Sequence, residues 1–125
     1  MQRILVVEDD RFLRRAAIAA LRRHGFEVLA AADGTEGLRM ARAELPDLVL
    51  LDLIMPGLQG FEVLKRLKAE PATAPIPVII LSNLGQDADV KNAMAAGAVD
   101  YLIKANLQLD ALVARVAALL EAWTP

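Results

Sequence analysis

A chain of 125 residues, 56% hydrophobic and 24% charged, can bury one substantial core but not a second of similar size, so one domain over residues 1–125 is expected. Its formal charge of −2 gives no general attraction to nucleic acid or to an anionic membrane, and the absence of cysteine with a single histidine excludes disulfides, thiolate metal sites and His-rich zinc sites. Met1-Gln2-Arg3 leads into four apolar residues stopped by Glu8-Asp9-Asp10, too short for a signal-peptide core. No apolar run approaches the ~20 residues that cross a bilayer, so a cytoplasmic location is expected.

Ile4 to Val7 opens the chain as a continuous apolar run, the pattern of a strand buried on both faces. Phe12, Leu13, Ala16, Ala17, Ala20 and Leu21 then recur at helical spacing opposite Arg14, Arg15, Arg22 and Arg23, and Gly25 ends that helix. His24, beside Gly25, reads as a residue facing the helix dipole and carries no assigned chemistry. A second strand is predicted over Glu27 to Ala31. Asp33 caps a helix from Gly34 to Glu44, before Pro46. Leu48 to Leu51 is a third strand, Gly60 to Ala69 a third helix, and Pro71, Pro75 and Pro77 mark the loop into a fourth strand over Val78 to Leu81. A helix from about Gln86 to Ala96 ends at Gly97, Tyr101 to Ile103 is a short fifth strand, and Leu109, Leu112, Val113, Val116, Leu119 and Leu120 define a last helix.

Strands alternating with helices imply right-handed crossovers and a three-layer α/β fold, a (βα)5 doubly wound parallel five-stranded sheet. In such sheets, sites form beyond the carboxyl ends of the strands. Those positions hold Glu8 and Asp9 after the first strand, Asp52 after the third, Ser82 after the fourth and Lys104 after the fifth. Asp10 suits a helix cap, but one cap does not need three acids. Asp52 interrupts Leu48-Val49-Leu50-Leu51 and Leu53-Ile54-Met55, which is poor placement for a simple turn residue. Two carboxylates about 4 Å apart repel by roughly 4 kcal/mol at an effective dielectric near 20, so a cation is needed. Oxygen ligands alone favour Mg²⁺. Lys104 can supply a second positive charge. Taken singly, Ser82 is a loop hydroxyl, Lys104 a solvated lysine and Tyr101 a strand aromatic; their position makes them candidates.

These residues resemble the receiver domains of two-component response regulators across nearly the whole chain. The resemblance rests on Ile4-Leu5-Val6-Val7-Glu8-Asp9-Asp10, Leu51-Asp52-Leu53-Ile54-Met55-Pro56-Gly57, Gly60-Phe61-Glu62, Pro77-Val78-Ile79-Ile80-Leu81-Ser82 and Asp100-Tyr101-Leu102-Ile103-Lys104. It implies a flavodoxin-like sheet of strand order 2-1-3-4-5, the order the handful of such folds including chemotaxis regulators share. It also implies that Asp52 takes a phosphoryl group from a phosphohistidine on a sensor histidine kinase or phosphotransfer protein. Glu8 (through water), Asp9, Asp52 and the Ile54 carbonyl would hold Mg²⁺, and Ser82 and Lys104 would bind phosphoryl oxygens. Ser82 and Tyr101 would then switch the surface of the fourth helix, fifth strand and fifth helix for a downstream protein partner. The protein would be a signalling phosphoacceptor, not an enzyme acting on an external substrate. It would be a monomer or a weak phosphorylation-dependent dimer, without direct contact to nucleic acid or membrane.

Departures from the family pattern matter. Ala105 stands where many members have proline, often cis, so a trans Lys104-Ala105 bond is expected, and Asn83 replaces a small residue. Ile54 and Leu84, at positions that tune phosphoryl lifetime in the family, are both apolar, which suggests slow self-hydrolysis. Arg11, Arg14 and Arg15 are family-based candidates for kinase docking. A haloacid-dehalogenase-type phosphatase would need a second Asp where Ile54 stands. A degenerate receiver acting as a phosphorylation-independent interaction module is the alternative, but such proteins usually lose an acid or the lysine. Trp123-Thr124-Pro125 follows the last helix directly, so no output domain is expected.

Overall fold

The computed structural model describes residues 2–122, and the expectation placed on Trp123-Thr124-Pro125 lies outside them. Ten main elements alternate as anticipated: β1 (Arg3–Val7), α1 (Arg11–Arg23), β2 (Glu27–Ala31), α2 (Gly34–Glu44), β3 (Leu48–Leu51), α3 (Gly60–Ala69), β4 (Val78–Ser82), α4 (Asp87–Ala95), β5 (Asp100–Ile103) and α5 (Leu109–Ala122). All pairings are parallel, in the order β2-β1-β3-β4-β5. The molecule is a three-layer, doubly wound, flavodoxin-like α/β fold.

The continuous apolar runs of β1, β3 and β4 are explained by their central position, where side chains on both faces are covered. Alternate residues split between two cores. Leu5, Val7, Val49, Leu51, Val78 and Ile80 pack with Leu38, Ala41, Val63, Leu64, Leu67 and Ala93 of α2, α3 and α4. Ile4, Val6, Leu48, Leu50, Ile79 and Leu81 pack with Ala17, Leu21, Leu112, Val116 and Leu120 of α1 and α5. β2 lies at one edge and β5 at the other.

Helix boundaries follow local chemistry. Asp10 and Asp33 cap α1 and α2 by accepting from the amides of Leu13 and Glu36. Gly25 and Gly97 adopt φ of 101° and 113°, the left-handed stops expected after α1 and α4. At the end of α2, however, Leu45 takes φ 45° without being a glycine. His24 caps the C-terminus of α1 and stacks on Phe26, with ring centroids 5.4 Å apart. Small differences from expectation occur at ends: β4 runs through Ser82, α4 begins at Asp87 with Gln86 as its cap, and β5 begins at Asp100. A short 3-10 turn, Lys104–Asn106, follows β5. Periodicity could not reveal it, because three residues are less than a repeat.

Candidate functional site

Parallel register assembles the site. Val7 pairs with Leu51, so the next residues, Glu8 and Asp52, emerge side by side. Their strands continue to hold them there: the Glu8 amide donates to Ala31 O (3.1 Å) and the Asp52 amide to Val7 O (3.0 Å). Ser82 pairs with Ile103, which puts Lys104 one residue beyond the end of β5. Gly60, at the start of α3, lies so close to the Asp52 carbonyl that a Cβ there would come within 1.9 Å of its oxygen. A glycine is therefore required for α3 to begin directly against the loop that carries Asp52.

Glu8 and Asp52 are almost fully buried, and the Lys104 ammonium sits between them, 2.6 Å from Glu8 Oε1 and 2.9 Å from Asp52 Oδ2. Asp52 Oδ1 accepts from the Ile54 amide at 3.1 Å, and Glu8 Oε2 from the Asp10 amide at 3.0 Å. Glu8 Oε1 has the ammonium close by but no aligned hydrogen bond. Burial pushes the Glu8 carboxyl up from 4.5 to about 7; Lys104 and the Asp10 amide oppose this, and the Asp52 charge adds to it. For Lys104, burial pulls the ammonium down, but the adjacent Glu8 and Asp52 carboxylates outweigh it, and its pKa is raised.

Asp9 is exposed at the rim, and carboxylate oxygens of Glu8, Asp9 and Asp52 all lie within 4.8 Å of one another. Three hard oxygen donors facing one ammonium leave an excess of negative charge that a divalent cation can offset, and Glu8 Oε1 is an acceptor without a directed donor. The residues present therefore fit Mg²⁺. Together with Asp10, Ile54, Asn83, Leu84 and Lys104, Asp9 and Asp52 line an open cleft of about 470 Å³. A larger recess of about 550 Å³ between α2 and α3 is rimmed by Arg39, Arg42 and Arg66. These pair with Glu36, Glu70 and Glu62, and no carboxylate lines that recess among the described residues. Chemistry, not size, distinguishes the cleft.

The remaining expected residues lie around it. Ile54 projects at the mouth with its side chain exposed, while its amide is what touches Asp52. Ser82 is fully buried, its Oγ accepting from the Leu84 amide at 3.2 Å; among the described residues no hydrogen bond joins it to Asp52 or Lys104. The Tyr101 hydroxyl donates to Leu84 O at 2.5 Å, so Ser82 and Tyr101 meet at the backbone of one residue. Burial pushes the phenol up, with the Ser82 hydroxyl opposing. Lys104-Ala105 is trans, like every described peptide bond.

The sequence reading missed one arrangement. Arg14, a family-based docking candidate with Arg11 and Arg15, donates from Nη1 to the carbonyls of Glu8 (2.8 Å) and Asp9 (3.3 Å). Its position one turn into α1 was the available signal, since helical side chains point back toward the N-terminus.

The chain is similar to known proteins. A family model described as the response regulator receiver domain matches residues 4–117. Protein PilH of Pseudomonas aeruginosa is 42% identical over 104 residues, covering 83% of this chain and 86% of that protein. The transcriptional regulatory protein AfsQ1 of Streptomyces coelicolor is 39% identical over 121 residues, covering 97% of this chain but 52% of its own length. Thus the chain spans most of one relative and about half of the other. Among solved structures, the Francisella response regulator 1452 receiver domain superposes with a TM-score of 0.92 at 29% identity, covering 99% of this chain and 100% of that one.

Proposed function

Because the chain belongs to the response regulator receiver domain family, we propose that Asp52 accepts a phosphoryl group from a phosphohistidine of a sensor histidine kinase or phosphotransfer protein. The observation that carries this reading is the Asp52 carboxylate held between the Ile54 amide and the Lys104 ammonium, at the open end of the sheet. In the transfer, an Asp52 oxygen forms a new bond to phosphorus as the bond from phosphorus to imidazole nitrogen breaks. The products are an acyl phosphate and a free histidine. The Ile54 amide and Lys104 orient the carboxylate before reaction, and Lys104 then neutralises a phosphoryl oxygen. Glu8, Asp9 and Asp52, with the Ile54 carbonyl, would hold Mg²⁺, which when bound supplies charge neutralisation at the transferring group.

Ser82 and Tyr101 form the response element. Donation from the Ser82 hydroxyl to a phosphoryl oxygen would draw Oγ away from the Leu84 amide that donates to it, and any shift of Leu84 alters the carbonyl that holds Tyr101. The face made by α4, β5 and α5 would thereby change for a downstream protein partner. No described helix is long and apolar enough to cross a membrane, which agrees with a cytoplasmic role. Over residues 1–125 the chain would act as one receiver unit, monomeric or weakly dimerising on phosphorylation.

The test is intact mass after incubation with acetyl phosphate and Mg²⁺. Wild type is expected to gain one phosphoryl group and Asp52→Asn none. An unmodified wild type would overturn the reading and favour a phosphorylation-independent interaction module.

A further inference from the structure

We propose that Arg14 is a positioning residue that clamps the loop between β1 and α1, holding Glu8 and Asp9 for a divalent cation; this rests on the metal-site reading above. Arg14 is half-buried, and its guanidinium bridges the carbonyls of Glu8 and Asp9 with one nitrogen, at 2.8 and 3.3 Å. Among the described residues it forms no ion pair, although Asp9 and Asp10 are its near neighbours in sequence. Asp10 is occupied elsewhere, capping α1 through the Leu13 amide while its own amide holds Glu8 Oε2.

A mechanical reason for such a clamp lies in the charge of the site. Glu8, Asp9 and Asp52 have oxygens within 4.8 Å, and their mutual repulsion acts on the irregular segment that carries two of them, residues 8–10 between β1 and α1. β1 anchors that segment on one side through the Glu8 amide, and the Asp10 cap anchors the other. Between those anchors, the Glu8 and Asp9 carbonyls accept from Arg14. Tying them to a cation on a rigid helix fixes the backbone from which both acids project, so less ordering remains when the cation binds. Arg15, the next residue, is exposed and has no such contact.

Calorimetric titration with Mg²⁺ alone, with amide hydrogen exchange on the metal-free full chain, tests this. Arg14→Ala is expected to weaken Mg²⁺ binding on the order of tenfold and to speed exchange at the Asp10 amide. Arg14→Lys recovers part of both, and Arg15→Ala leaves both as in wild type. A docking role alone would move neither readout. Unchanged Mg²⁺ binding and unchanged Asp10 exchange in Arg14→Ala, or equal changes in Arg15→Ala, overturn the proposal. If wild type shows no saturable Mg²⁺ binding, the metal-site reading fails instead, and Asp10 exchange alone decides the clamp: selectively faster supports it, unchanged refutes it.

Discussion

Replacing Lys104 with Met keeps an unbranched apolar stem while removing the charge between two buried acids. Their nearest oxygens lie within 4.8 Å, where unit charges repel by about 3.5 kcal/mol at an effective dielectric near 20. Breaking a buried pair this way costs about 3–5 kcal/mol. The pH dependence is more diagnostic than the total. In metal-free wild type, Glu8 is raised from 4.5 to about 7, so the folded state holds its proton more tightly than the unfolded chain. Stability is therefore greatest at low pH for this group, falls as pH rises from 4.5 through about 7, and levels above, a loss of roughly 3 kcal/mol. In Lys104→Met the ammonium whose closeness lowers the Glu8 pKa is gone, so Glu8 titrates higher still. Stability should then keep falling above pH 7, by up to about 1.4 kcal/mol per pH unit. Urea unfolding followed by circular dichroism, with chelator and across this range, measures both curves. Mg²⁺ should narrow the gap by replacing the lost positive charge. Parallel curves above pH 7 would refute the assignment of Lys104 as the group that keeps Glu8 ionisable.

Three further outcomes follow from the same geometry. Acyl phosphate on Asp52 should be long-lived, because Ile54 and Leu84 present apolar side chains at the cleft mouth and do not orient water; Ile54→Asn with Leu84→Glu should speed its decay several-fold or more, and decay of the wild type within seconds would contradict this. Gly60→Ala should destabilise by about 2 kcal/mol despite alanine's better helix propensity, since its Cβ meets the Asp52 carbonyl oxygen; it should also slow phosphorylation by acetyl phosphate, and an unchanged urea midpoint would exclude the clash. Leu45→Asn should stabilise by about 0.5–1 kcal/mol, because Leu45 is half-exposed yet held at φ 45°, where asparagine is better tolerated; a lower urea midpoint would show that its side chain contributes more than its backbone strain costs.

Much of this architecture was legible because its signals are local. Three short uninterrupted apolar runs fit strands covered on both faces, and the caps Asp10 and Asp33 with stops Gly25 and Gly97 bracket the helices between them. The acids, hydroxyl and ammonium were found by one topological rule, that strand ends on one side of a parallel sheet converge. Strand order came from the family resemblance, since no local pattern encodes which strands are neighbours. Lateral contact was beyond the sequence for the same reason. That Lys104 spans Glu8 and Asp52, that Gly60 lies against the Asp52 carbonyl, that Ser82 and Tyr101 meet at Leu84, and that Arg14 turns from solvent to two loop carbonyls all depend on register and crossing geometry. Residue type and period determine what each segment can bury and which groups it carries to the sheet's end. Only packing decides the ångström-scale distances at which those charges compensate one another, and electrostatic function depends on those distances.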